Sequence, residues 1–217
     1  MVLFLSQFCG DGDLITNLNQ SEIEYGKSLG YQVPRGLLTK YEAIKLSFWK
    51  MIINLQSDPK LKKSSGKKIK KNLSAYLAKQ YLGEKTWNTY FKFCFERNPF
   101  DKAVSLYFWH TRKFEKRPEI NEFIQKMPRS KLSNWDLYTI KNNIAVDFVG
   151  KYENLQQDLS KITTLIGIPD QKLPQAKNYT RTNHQHYSEL LDESARAYIE
   201  KMCAHEIEMF KYYWVGK

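Results

Sequence analysis

Cysteine is scarce in this chain. Three residues, Cys9, Cys94 and Cys203, are spread over 217 positions, an odd number at wide spacing, and two of them fall in stretches expected to form the core. That argues against a disulfide framework and a zinc site, and fits a reducing compartment. No apolar run approaches the roughly 20 residues that a membrane-crossing helix needs. Met1 to Phe8, MVLFLSQF, has no basic segment and too short an apolar run for a secretory signal. It reads as a short helix, and a cytoplasmic location is expected. Histidine is sparse as well. His184 and His186 could chelate a metal together, but no third ligand lies nearby, so no metal is expected. There is no nucleophile elbow and no internal repeat.

Positive charge, by contrast, is abundant. Lysine and arginine number 34 against 23 acidic residues, giving a formal net charge of +11 and an isoelectric point near 9.4. Such a balance favours anionic partners: nucleotide phosphates, sulfated or acidic glycans, nucleic acid or an acidic surface. A hydrophobic fraction of 42% with 14% aromatic residues is that of a globular chain, expected as one domain over 1–217. The charge is densest at Lys60–Lys71, KLKKSSGKKIKK, with seven lysines in twelve residues. This basic loop at 60–71 reads as a solvated linker, or alternatively as an electrostatic funnel in which Lys62, Lys63, Lys67 and Lys68 draw in an anionic acceptor. The run has no interleaved aromatics on which bases could stack, so nucleic acid is not favoured as a partner.

The most informative stretch is Phe91 to Trp109, FKFCFERNPFDKAVSLYFW. An alternating aromatic run, expected as a strand over Tyr90–Glu96, stops at Arg97-Asn98-Pro99, and a helical pattern follows at once. Asn98 suits the N-cap, Pro99 the first helical position, and Asp101 complements the positive helix end. Phe100, Ala103, Val104, Tyr107 and Phe108 then recur at helical spacing. Orphan backbone donors and the helix dipole at such a junction attract an anion. Ser105, seven residues past Asn98, falls on nearly the same helix face as the start. Arg97 and Ser105 facing one pocket would capture a phosphate. The alternative is an arginine that simply pairs with a carboxylate, as at many strand-to-helix junctions.

This segment resembles the 3′-phosphate-binding motif of the sulfotransferase superfamily, in the branch of the carbohydrate 2-O-type enzymes and their bacterial relatives. The resemblance rests on Phe93, Phe95, Arg97, Asn98, Pro99, Phe100, Asp101, Val104, Ser105 and Tyr107. It implies that Arg97 and Ser105 grip the 3′-phosphate of PAPS, the sulfate donor, or of its product adenosine 3′,5′-bisphosphate. A second block, Asp147-Phe148-Val149-Gly150-Lys151-Tyr152-Glu153-Asn154-Leu155 with Asp158-Leu159, is similar to the family's strand-turn-helix element. Its hydrophobic strand, expected over Ile144–Gly150, leads into a helix that reaches Ile166 and stops at Gly167 and Pro169. Leu173-Pro174 with Lys177, Tyr179 and Arg181, then His186-Tyr187, resembles the basic loop that closes over the nucleotide, which adds Lys177 and Arg181 to the implied donor site. The stripe Leu191, Ala195, Tyr198, Ile199, Met202, Ile207 and Phe210 is expected as one final helix.

Two family features are missing. The N-terminal loop that holds the 5′-phosphosulfate has no counterpart, and Leu3 to Thr16 resembles the segment on the C-terminal side of that loop, so the domain reads as N-terminally incomplete. Relatives place a histidine, the general base, where this chain has Asn72, and asparagine cannot take up a proton at neutral pH. The catalytic residue is therefore unassigned. His110 reads as a surface or packed residue, His184 and His186 as phosphate contacts, and His205 as a charge at a helix C-terminus. Further helices are expected from Ser21 to near Gly30, over Tyr41–Leu55, and from Asn72 to Leu82.

The expected fold is α/β, a small parallel sheet flanked by helices, and by resemblance a P-loop-like sulfotransferase fold. The implied function is PAPS-dependent transfer of a sulfuryl group to a hydroxyl, on a carbohydrate acceptor, impaired in the chain as it stands. The alternative is a non-catalytic module that binds an anionic glycan or a nucleotide.

Overall fold

A computed structural model describes residues 20–30, 73–170, 172–173 and 185–216. The expected helix at Tyr41–Leu55, the basic run 60–71 with Lys62, Lys63, Lys67 and Lys68, and Asn72, Lys177, Arg181 and His184 lie outside the described residues. The chain divides into two compact units. The first holds helix α1 (Gln20–Ser28) and residues Leu77–Glu84. Gly30, at φ 71°, takes the left-handed turn after α1, where the sequence places its end. Helix α2 (Ala75–Leu82) spans the boundary between the units, and the second unit contains everything from Lys85 onward.

The second unit is built on one parallel strand pair. After helix α3 (Glu84–Thr89), strand β1 (Phe93–Glu96) runs into helix α4 (Pro99–His110). Short helices α5 (Ile120–Gln125), α6 (Arg129–Leu132) and α7 (Trp135–Tyr138) come next, then a hairpin of β2 (Thr139–Ile140) and β3 (Asn143–Ile144). Strand β4 (Phe148–Lys151) leads through a 3₁₀ turn at Tyr152–Asn154 into helix α8 (Leu155–Ile166). Helices α9 (Tyr187–Leu190), α10 (Glu193–Met202) and α11 (Ala204–Phe210) complete the unit. β1 and β4 pair in parallel, with Phe93, Cys94, Phe95 and Glu96 opposite Phe148, Val149, Gly150 and Lys151. This is the expected α/β class: helices around a small parallel sheet, with two strands in it among the described residues.

The apolar pattern of α4 explains the core. Phe100, Ala103, Val104, Tyr107 and Phe108 are buried, and they meet Ile124, Leu132, Leu191, Ala195 and Ile199 from the surrounding helices. Gly150 is required for strand contact: a Cβ there would sit 2.5 Å from the Phe95 ring. The sheet is closed at both ends by carboxylates. Asp147 accepts the Lys92 N–H at 2.7 Å and pairs with its ammonium at 2.8 Å. Asp158, on α8, accepts the Lys151 N–H at 2.8 Å.

Three boundaries differ from expectation. The strand predicted over Ile144–Gly150 is interrupted. Lys141 and Asn142, at φ 51° and 65°, form a two-residue hairpin turn that takes Asn143–Ile144 into an antiparallel pair with β2. The bonds of Asp147 to Lys92 then start β4 afresh. β1 is shorter than Tyr90–Glu96 because Tyr90 lies in a bend after α3. The single C-terminal helix is two: Asp192 caps α10, and the chain breaks at Cys203 before α11 begins.

The two clamping carboxylates give the fold a pH dependence. The Lys92 ammonium and backbone amide hold Asp147 below the usual aspartate range. Burial pushes Asp158 upward, but the Lys161 ammonium and the Lys151 amide outweigh it, so its net displacement is also downward. A lowered folded value means stability that is present above the unfolded value, about 3.9, and lost as pH falls through the folded one. Urea midpoints should therefore drop between pH 5 and 3, and the double variant Asp147→Asn, Asp158→Asn should show a shallower drop. An identical slope in both proteins would contradict the clamp.

Candidate functional site

The site is assembled where β1 passes into α4. Asn98 caps the helix as expected, its Oδ1 accepting the N–H groups of Phe100 at 3.0 Å and Asp101 at 3.4 Å. Pro99 has no N–H, and the Asn98 N–H donates to Glu153 Oε1 at 2.7 Å. The expectation of orphan backbone donors at this junction is therefore corrected: the capping side chain and Glu153 take them all. The Glu153 carboxylate is fixed in turn by the Tyr212 hydroxyl, which donates to Oε2 at 3.1 Å.

What remains for an anion is side-chain chemistry. Arg97 Nε donates to Asp101 at 2.7 Å, a second guanidinium nitrogen reaches the same carboxylate oxygen, and the guanidinium carbon lies 4.6 Å from the Tyr152 ring centroid. This is the carboxylate pairing that the sequence leaves open as the alternative. Both side chains are about a quarter exposed, 24% and 28%, so the pair is accessible to a stronger anion. Ser105 is half-buried on α4, and its hydroxyl makes no hydrogen bond to another described residue. The helix is continuous between them, so Ser105 lies about 10 Å along the axis from Asn98 on nearly the same face. The structure thus places Arg97 just before α4 and Ser105 within it, without joining them directly.

Behind the junction lies a buried charge cluster that the motif does not announce. Glu96, the last residue of β1, is 1% exposed. Its Oε1 accepts the Arg97 N–H and the Asn134 amide, each at 3.1 Å, and lies 3.8 Å from Lys102 Nζ on α4. Glu206 on α11 is equally buried, and its Oε1 accepts Ser133 Oγ at 2.6 Å and the N–H groups of Asn134 and Trp135 at 2.9 and 3.0 Å. Burial pushes Glu96 up while the Lys102 ammonium pulls it down, with a net upward displacement; burial pushes Lys102 down while Glu96 opposes. The neighbouring thiols Cys94 and Cys203 are pushed up to about 12 by burial and by the adjacent Glu96 and Glu206 carboxylates respectively. They are neutral packing groups and not nucleophiles.

The three described histidines take structural places. His110 is exposed at the end of α4, its ring 6.5 Å from that of Phe123. His186 caps α9 through Nδ1, which receives the Ser188 N–H. His205 stacks on Trp135 at 4.9 Å. The sequence pattern places it near a helix C-terminus, but the break at Cys203 puts it in the first turn of α11. Among the described residues no group of three or more histidines, cysteines or carboxylates could hold a metal, and no helix is long and apolar enough to cross a membrane.

Sequence reasoning missed Glu96, Lys102, Glu206, Asn134 and Glu153. A signal existed for two of them. Glu96 is an acid closing an aromatic strand, and Glu206 is an acid three residues from Cys203 on a helix face that is otherwise apolar. Removing the single cation from the buried cluster should be costly. Lys102→Met is expected to lose about 3–5 kcal/mol of stability in urea denaturation, because two carboxylates remain buried without it. Adding Glu96→Gln should restore part of that loss. A double variant less stable than the single would contradict the cluster.

No solved structure matches this chain. An uncharacterized protein of Archaeoglobus fulgidus is 36% identical over 104 residues, which cover 46% of this chain and 86% of that protein. A family model described as "Sulfotransferase family" matches residues 5–213, nearly the whole length and both sequence blocks on which the resemblance rests. The chain belongs to the sulfotransferase family.

Proposed function

We propose that this protein binds PAPS as donor substrate and transfers its sulfuryl group to a hydroxyl of a carbohydrate acceptor. Sulfotransferase-type function follows from the family, whose members generally use PAPS and act on hydroxyl-bearing acceptors. The observation that carries the donor assignment is Arg97 at the turn from a half-buried parallel strand into a capped helix, with Ser105 two turns along the same face. Arg97 and Ser105 bind the 3′-phosphate, and Lys177 and Arg181 close over the nucleotide. A phosphate dianion competes well with a carboxylate for a guanidinium, so Asp101 yields Arg97 when the nucleotide arrives. The Glu153–Asn98 bond keeps the turn in place during that exchange. Residues 1–217 form one sulfotransferase-like domain on this reading, and sparse cysteine supports a cytoplasmic location.

The chemistry is an in-line displacement. The bond from sulfur to the phosphate oxygen breaks as a new one forms to the acceptor oxygen, and adenosine 3′,5′-bisphosphate leaves. Cations placed at the leaving phosphate stabilise the developing charge, while the acceptor proton needs a base. Asn72 stands where that base is implied and cannot accept the proton. The same lack supports the second reading, a non-catalytic module that holds a nucleotide or an anionic glycan through Lys62, Lys63, Lys67 and Lys68.

Two measurements separate these readings. Calorimetry with adenosine 3′,5′-bisphosphate should give binding that weakens at least tenfold in Arg97→Ala, as expected for a lost charge-assisted pair. Equal heats for both proteins would remove Arg97 from the donor site. Labelled-sulfate transfer from PAPS to a glycan panel should be slow but measurable, since a missing base lowers a rate by roughly a hundredfold to ten-thousandfold; no transfer at all would favour the non-catalytic module. Turnover at ordinary enzyme rates would overturn the impairment.

A further inference from the structure

A second concentration of positive charge lies at the other end of α4, about 16 Å along the helix axis from Pro99. Arg112, Lys113, Lys116 and Arg117 place four cations in six residues, with Glu115 as the one acid among them. All are exposed, and no ion pair joins any of the four cations to another described residue. Two large aromatics flank them at the surface: Phe114 is 53% exposed and Trp109 is 37% exposed.

This segment is held in shape from within. Thr111 is fully buried, and its hydroxyl donates to the Tyr107 carbonyl at 2.8 Å. The Phe114 N–H donates to the Thr111 carbonyl at 3.0 Å, and the Tyr107 hydroxyl reaches over to the Pro118 carbonyl at 2.7 Å. The Arg112 guanidinium lies 3.9 Å from the Trp109 ring centroid, and that of Arg117 lies 5.1 Å from Phe108. Both ends of the loop are therefore anchored in the core while Phe114 projects between cations. A single exposed ring is ordinary; what sets this loop apart is two exposed aromatics, Phe114 and Trp109, set among four cations.

We propose that residues 109–117 are a peripheral contact with anionic phospholipid. Arg112, Lys113, Lys116 and Arg117 meet the headgroups, Phe114 enters the boundary with the acyl chains, and Trp109 lies at headgroup level. Cations on flexible stems around exposed aromatics are the composition that an anionic lipid interface binds. A polyanionic glycan or nucleic acid would satisfy the charge but would use the rings as stacking platforms, and the guanidinium of Arg112 already occupies a face of Trp109. One loop with one inserted ring gives reversible, weak attachment. The inference is independent of the donor site.

Co-sedimentation of the full chain with vesicles tests it, using phosphatidylcholine alone and an equal mixture of phosphatidylcholine and phosphatidylglycerol. The chain should pellet with the mixture and not with phosphatidylcholine. Lys113→Gln with Lys116→Gln should lower the partition about 25-fold, near fivefold for each cation. Phe114→Ser should lower it about fivefold to tenfold through lost apolar burial. The basic run at 60–71 is intact in every variant, so unchanged partition in both would overturn the proposal. A loss with the lysine variant and none with Phe114→Ser would also overturn it, in favour of capture of a polyanion through charge alone.

Discussion

The Glu96 carboxylate holds the second unit together at its most demanding point. It ends strand β1, accepts the Arg97 amide, ties down Asn134 before α7 and faces the Lys102 ammonium one helical turn into α4. Glu206, arriving from α11, fixes the same Ser133–Trp135 turn from the other side. Two acids and one lysine inside a protein are not a strong source of stability, because desolvation offsets most of their attraction. Their value is geometric. The two carboxylates accept backbone N–H groups that the turns would otherwise leave unpaired, and so fix how strand, helix and C-terminal segment meet.

That arrangement decides which groups are left open at the start of α4. The start of α4 has a favourable dipole, but its amides are taken by Asn98 and Glu153. On the proposed reading recognition falls on Arg97, which is held against Asp101 and over Tyr152. A stored arginine costs binding energy, since one pair must open before another closes. It also keeps the guanidinium from wandering, which limits the entropy lost when a phosphate replaces the carboxylate. Glu153 belongs to the second sequence block and Asn98 to the first. Their bond ties the two blocks together in this fold.

Much of this was legible in the residues. The N-cap at Asn98, Pro99 at the first turn and the stripe from Phe100 to Phe108 depend on local preferences and periodicity, and they appear as read. So does the halt of α8 at Gly167, whose φ of 72° is the left-handed cap that glycine favours. What sequence periodicity did not reveal depends on contacts across the chain. The split of Ile144–Gly150 comes from a hairpin turn at Lys141-Asn142 and from Asp147 reaching back to Lys92. The break at Cys203 places a charged side chain in the interior, where a stripe of apolar residues predicts a continuous helix. Glu96 and Glu206 find their partners 38 and about 70 positions away, separations that carry no periodic signal.

On the proposed reading the β1–α4 junction is a phosphate site built on a fixed backbone and a movable arginine. A crystal structure with adenosine 3′,5′-bisphosphate tests it most directly. The 3′-phosphate should lie between the Arg97 guanidinium and the Ser105 hydroxyl, with the Arg97–Asp101 pair opened and the Glu153–Asn98 and Glu96–Arg97 backbone bonds unchanged. Nucleotide bound elsewhere with the Arg97–Asp101 pair intact would contradict it.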